Sequence, residues 1–364
     1  MKAQWLAGPN RNITRFGEVP VYKEGLYRVG TRSYAWMVPN GTWGETNIGL
    51  IDCDGKSILI DTCWDLKFTR ELLETADPVL RKSPVEIVIN THSDGDHCWG
   101  NQLFKDKEII ATHACIEQMH HLKPASMTAL KSGGRLLRHL PLMKLDSFGH
   151  YMRTMFSPYD FSDVSITDPN KGFSGKHELT VNGVDIVVME VGPGHTDGDA
   201  IVYVPDEGLV YAGDILFIGG TPVMWSGPVE NLVKALEILR SLNAKTIVPG
   251  HGPMASDQQV QSVINYWHFA HEHLHRCYQR DMTPTEAARD VLFSKAFQES
   301  EFAGWNCPER LVTNAYSMYR NWGANLLNLP GPLGVMDQMR NQASVAFNMP
   351  QAEPRCMHGF VHRI

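Results

Sequence analysis

At 364 residues, with 43% hydrophobic and 20% charged side chains, the chain is long enough for one large or two modest domains and is not disordered in composition. A formal charge of −7 argues against nucleic-acid binding as its main role, and no apolar run approaches the roughly 20 residues that span a bilayer. Seven cysteines (Cys53, Cys63, Cys98, Cys115, Cys277, Cys307, Cys356) with no CxxC pair, and an N-terminus without an apolar signal core, lead us to expect free thiols and a cytoplasmic location.

Residues 1 to about 25 are polar and read as irregular surface chain. Strands are predicted at Leu26–Val29 and Tyr34–Val38, where aromatic and branched residues cluster. Two apolar runs, 46–53 and 57–62, meet at Asp54-Gly55, a hairpin signal. Helical spacing follows from Asp65 to about Asp77. The apolar run Val85–Ile89 then reads as a buried strand that opens into Thr91-His92-Ser93-Asp94-Gly95-Asp96-His97. A helix from Cys98 to Phe104 and a strand at 108–112 are expected next.

Residues 114 to about 176 carry Met, Leu and Lys/Arg in helical patches and read as a helical insertion, either a lid or an ordinary pair of surface helices. Strands resume at 177–181 and 184–191, joined at Asn182-Gly183. The second of these runs into Gly194-His195-Thr196-Asp197-Gly198-Asp199. Strands at 200–204 and 209–212 lead to Gly213-Asp214, an amphipathic helix spans 229–242, and a strand at 246–248 opens into Pro249-Gly250-His251. From Ser256 the pattern is mostly helical, with Pro308-Glu309-Arg310 starting one helix. This divides the chain into 1–255 and a helical region, 256–364, that packs on it. The tail from about Gly331 reads as an arm over a partner subunit, so a homo-oligomer is expected.

One pattern recurs: a strand, a glycine-bracketed turn, and a ligand-type side chain. It occurs at His92/Asp94/Asp96/His97, at His195, at Asp214 and at His251. Glycine lets the backbone turn sharply and bring a short side chain to a common point. A single histidine at a strand end is ordinarily a structural residue, but four such turns in succession are hard to assign to packing.

These segments, together with the Asp61-Thr62 turn, resemble the metallo-β-lactamase-fold superfamily from about Thr46 to Pro253. The resemblance implies a four-layer αββα sandwich, here with a helical insertion and a helical C-terminal extension. It implies one metal position at His92, Asp94 and His195, a second at Asp96, His97 and His251, and Asp214 bridging them. Histidine and carboxylate donors suit Zn²⁺, as one or two ions, and also iron or manganese. The implied activity is that of a metal-dependent hydrolase in which activated water attacks a small apolar or aromatic ester, lactone, thioester or amide, with Asp96 orienting the water.

One position departs from the family. The usual motif is His-x-His-x-Asp-His, and Asp94 stands where the second histidine belongs. Three outcomes stay open: two metals with a harder ion, a single metal, or Asp94 released for acid–base work. A carboxylate there is similar to the flavin-linked di-iron branch, which makes an oxidoreductase an alternative. The string from His92 to Gln102 also resembles the branch containing a hydrolytic dehalogenase of electron-poor haloaromatics, a further alternative. Asp197 and Asp199 are a second departure, read as supports for the ligands or as caps. A small-molecule substrate is expected, without nucleic acid or membrane. Trp64, Trp99, Trp225 and His121 are candidate substrate contacts, each weighed against a core or surface role, with Trp225 preferred. His268, His271 and His275 share a helical face and read as a second metal site or a solvated face. Cys98 reads as a small buried residue.

Overall fold

The computed structural model describes residues 3–140, 145–326, 332–355 and 357–358. Two sheets are stacked face to face. The first has eight strands in chain order: β1 (Gln4–Ala7), β2 (Gly25–Arg28), β3 (Ser33–Met37), β4 (Ile48–Asp52), β5 (Ser57–Ile60), β6 (Val85–Ile89), β7 (Glu108–Thr112) and β8 (Lys171–Phe173). Strands β1 to β5 pair antiparallel, and β5 to β8 pair parallel. The second sheet contains β9 (Lys176–Val181), β10 (Val184–Glu190), β11 (Ala200–Val204), β12 (Leu209–Tyr211) and β13 (Thr246–Val248), in the order β13-β12-β11-β10-β9.

Period-two patterning explains the layering. Ile58 and Ile60 of β5 and Ile89 of β6 pack between the sheets against Ile186, Val188 and Val202. The alternate residues Leu59 and Val88 face outward into a separate apolar cluster beneath helices. Helices cover both outer faces, giving αββα. Both predicted hairpin turns form: Asp54-Gly55 and Asn182-Gly183 each have positive φ at both central residues, as the primed turn requires.

The helices are α1 (Leu66–Thr75), α2 (Asp77–Leu80), α3 (Gly95–Cys98), α4 (His113–Gln118), α5 (Pro124–Leu137), α6 (Leu145–Met155), α7 (Val229–Ser241), α8 (Asp257–Tyr278), α9 (Pro284–Leu292), α10 (Lys295–Gln298), α11 (Leu311–Asn321) and α12 (Pro332–Ala346). Asp65 caps α1 by accepting from the Phe68 amide at 2.8 Å. The segment 98–104 is less regular than expected. Its first residue ends α3, and Trp99–Phe104 is a 3₁₀ helix.

One further expectation fails. The N-terminal 25 residues are not simply surface chain: Gln4–Ala7 adds an edge strand, and Arg15 buries its guanidinium over the Phe68 ring, 3.7 Å from the centroid. Four residues with little alternation carry no strand signal, so tertiary pairing decides. The described part of the tail after Gly331 is largely helical. Helix α12 packs on α6 and α11 of its own chain and buries Met339, Ala343 and Ala346. Six described cysteines are free and buried, and Cys356 lies outside the described residues. No helix among the described residues is long and apolar enough to cross a membrane.

Candidate metal centre

The loops after β6, β10, β12 and β13 meet at one edge of the sandwich. They bring His92, Asp94, Asp96, His97, His195, Asp214 and His251 together. Three groupings have ligand atoms within 4.8 Å of one another: His92/Asp94/His195, His92/His97/Asp214 and Asp96/His97/His251. Asp214 lies between the outer two, with Oδ1 3.1 Å from His97 Nε2 and Oδ2 3.2 Å from His251 Nε2 and 3.5 Å from His195 Nε2. Close approach at this point demands glycine at 250, where a Cβ would lie 1.9 Å from Asp214 Oδ1.

Each imidazole is anchored through Nδ1. His195 donates to the Val223 carbonyl at 2.8 Å, His251 to the Glu45 carbonyl at 3.1 Å, and His97 to Asp61 Oδ2 at 2.9 Å. His92 Nδ1 lies 2.9 Å from Thr91 Oγ1, whose own hydrogen goes to Asp61 Oδ2 at 2.7 Å, so the hydroxyl accepts from His92. All four rings therefore carry hydrogen on Nδ1 and turn Nε2 inward. Phe217 stacks on His251 at 4.9 Å, fixing its plane.

This arrangement leaves electron-rich atoms facing one another. His92 Nε2, His97 Nε2 and Asp214 Oδ1 are buried without a hydrogen-bond partner. Burial, reinforced by the neighbouring His97, holds His92 well below the ordinary imidazole pKa and keeps it neutral. For His195 burial opposes protonation, but the hydrogen bond and charge of Asp94 prevail and push it up to about 9. Asp94 beside His195, and Asp214 and Asp61 beside His97, favour positive charge at those rings, a place that a metal cation would take. Imidazoles and carboxylates converging on orphaned buried atoms suit a transition metal, and the residues present fit one.

Asp94 occupies the position beside His92 and His195. Its Oδ2 lies 3.1 Å from His195 Nε2 and accepts from Trp225 Nε1 at 3.0 Å. Burial would raise its pKa, yet the His195 contact lowers it below the usual carboxylate range. Asp96 Oδ2 accepts from Thr46 Oγ1 at 2.9 Å and lies 3.6 Å from His251 Nε2.

A cleft of about 350 Å³ opens over Asp94, with Trp225 and His121 in its lining. The loop between α4 and α5 contributes His121, while helix α11 adds Tyr316 and Arg320 and helix α12 adds Val335 and Asp337. The other two tryptophans are elsewhere. Trp64 packs among Phe156, Tyr159 and Phe161, and Trp99 packs against Phe161 and the α-carbon face of Gly95; both are core. Proximity in sequence to a motif placed them behind the turns rather than in front. Asp199 closes its own turn by accepting from the Thr196 amide and hydroxyl, so it acts as a cap, and Asp197 is exposed. His271 and His275 flank Trp322 and join no metal-binding group among the described residues, and His268 is exposed. Asp61, Thr46, Thr91 and Phe217 escaped the sequence reading as supports, since their partners lie up to 50 residues away or in another loop. Asp61 carried one signal, its place directly after a buried strand.

A family model described as the metallo-beta-lactamase superfamily matches residues 41–251. The chain is similar to the alpha subunit of 2,4-dinitroanisole O-demethylase from Nocardioides sp. (strain JS1661), 21% identical over 260 residues covering 69% of this chain and 66% of that one. It is also similar to the metallo-beta-lactamase type 2 of Bacillus cereus, 23% identical over 223 residues covering 58% of this chain and 66% of the relative. Among solved structures it resembles the stereoselective inverting sec-alkylsulfatase Pisa1 from Pseudomonas sp., with a TM-score of 0.62, 15% identity, and coverage of 85% of this chain and 52% of that chain. The chain thus spans under two thirds of these curated relatives and about half of the alkylsulfatase, whose likeness is one of fold.

Proposed function

Because the chain belongs to the metallo-beta-lactamase superfamily, whose members are mostly metal-dependent hydrolases, we propose that it is a metal-dependent hydrolase of a small, largely apolar or aromatic substrate. The observation that carries this reading is the set of four imidazoles, each with Nδ1 committed and Nε2 turned to a common centre. His92, Asp94 and His195 would hold one ion, Asp96, His97 and His251 a second, and Asp214 would touch both; zinc suits these donors, as do iron and manganese. Bound divalent cations supply Lewis acidity, stabilising negative charge on a substrate oxygen and lowering the pKa of water to about 7.

The protein's residues do the rest. Asp96, held by the Thr46 hydroxyl, orients the attacking water and accepts its proton. Water oxygen bonds to the acyl carbon, the bond to the leaving oxygen, nitrogen or sulfur breaks, and the leaving group takes up a proton. Asp94, fixed by His195 and Trp225, holds its carboxylate at the cleft floor. The half-buried Trp225 offers a flat apolar wall.

A second reading is attack on an electron-poor aromatic ring or its ether, including hydrolytic dehalogenation. It is supported by the similarity to a protein whose name gives 2,4-dinitroanisole as its substrate, and by the indole wall. One experiment separates these readings. Metal content is measured by mass spectrometry, and turnover is followed on esters, lactones, thioesters, haloaromatics and aryl methyl ethers, with and without chelator. Chelator-sensitive, oxygen-independent ester or thioester cleavage is the expected result. Metal-free protein with undiminished turnover would overturn the proposal, and iron with oxygen-dependent turnover would replace it with the oxidoreductase.

A further inference from the structure

The cleft wall contains one charge that the described residues do not answer. Asp94 is engaged by His195 and Trp225. Asp337, also in the lining, is paired with Arg340 at 2.6 Å and accepts from Asn341. The Tyr316 hydroxyl accepts from Asn341 at 2.9 Å, and Gln118 Oε1 accepts from Ser93 and from the Asp197 amide. Arg320, exposed at the mouth, is different. Its Nη2 donates to the Trp225 carbonyl at 3.3 Å and to Ser317 Oγ at 2.8 Å, and no carboxylate among the described residues pairs with it. Leu122, Leu326 and Val335 give the same cleft an apolar side.

We infer that Arg320 reads a negative charge on the substrate, so that the natural substrates are small organic anions with a flat apolar body. The inference rests on the reading of this cleft as the substrate site of a metal-dependent hydrolase. Geometry gives it direction. Trp225 is held at its indole nitrogen by Asp94 and at its carbonyl by Arg320. A substrate laid along the tryptophan has its scissile group at Asp94 and its anionic group at the guanidinium, whose planar fork suits a carboxylate or sulfonate. Arg320 is thus a specificity residue remote from the bond that breaks.

The test uses matched pairs on the metal-loaded full-length protein. Benzoate and benzamide are compared as ligands by calorimetry, and 4-acetoxybenzoate and its methyl ester as substrates. The anion is expected to be preferred by roughly tenfold in Kd and in KM, the worth of one charge-assisted hydrogen bond. Arg320→Gln abolishes the preference, and Arg320→Lys, which keeps the charge, retains most of it. Comparing variants at equal metal loading cancels any contact between carboxylate and metal. Wild type with no preference, or Arg320→Gln weakening both members of each pair alike, overturns the inference; the latter marks Arg320 as a mere prop for Trp225. An Arg320-dependent binding preference without turnover leaves the anion site standing and sinks the hydrolase, while turnover without preference does the reverse.

Discussion

Asp61 supports more of the centre than any residue that faces it. It holds a left-handed backbone at φ 65°, accepts from the Thr91 amide and hydroxyl at 2.7 Å each, and takes the His97 hydrogen. Asp61→Ala is expected to weaken metal binding by about 10- to 100-fold, read by competition with a chromogenic chelator. Glu309 supplies a separate, pH-dependent effect. Burial pushes its carboxyl up to about 7 against the pull of Arg310. The unfolded chain releases that proton near the ordinary value of about 4.3, so between these pH values the folded state binds the extra proton. Stability therefore falls as pH rises through that window, by on the order of 3 kcal/mol. Glu309→Gln removes the dependence, so its melting temperature relative to wild type is expected to be higher at pH 8 than at pH 4. The seven converging side chains were legible because each sits at a glycine-bracketed strand end. Their supports were not, because a threonine or phenylalanine in a loop has no pattern until the loops meet.

At the scale of elements, the helical region after residue 256 is part of the centre's scaffold. Asn314 of α11 accepts from the Met224 amide at 2.9 Å and donates to the Pro222 carbonyl at 2.9 Å. Ser317 and Arg320 grip the Trp225 carbonyl, and Asn321 the Ser226 carbonyl. The loop so held supplies Val223 O to His195 and the Trp225 indole to Asp94. Asn314→Ala leaves a buried amide and carbonyl unpaired, costing about 1–3 kcal/mol. The expected consequence is selective: metal at the His92/Asp94/His195 position falls while the other position stays filled, measured as metal per chain after dialysis. Strand and helix order could be read from apolar period and turn residues, since those signals are local. The role of α11 could not, because its Asn, Ser and Arg resemble any solvated helix face until loop 220–227 is placed beside them.

Across the whole molecule, the sandwich places four carboxylates (Asp61, Asp94, Asp96 and Asp214) at one sheet edge, where Asp61 and Asp214 are buried. Such a concentration of negative charge favours a cation in the folded state over the unfolded chain. Chelation is expected to lower the melting temperature, and readdition of zinc to restore it, with about 4 kcal/mol of stabilisation at a thousandfold excess over Kd. Unchanged melting would mean that protons alone balance the site.

The anchors behind the rings carry a last consequence. His195 and His251 lean on main-chain carbonyls, which no substitution can retune. His97 leans on Asp61 directly, and His92 reaches the same carboxylate through Thr91. Each proposed metal position therefore pairs one invariant imidazole with one adjustable imidazole, and a single oxygen governs both adjustable ones. Were a metal bound at each group, electron donation to both would rise and fall together at that atom, and the pair would be tuned as a unit.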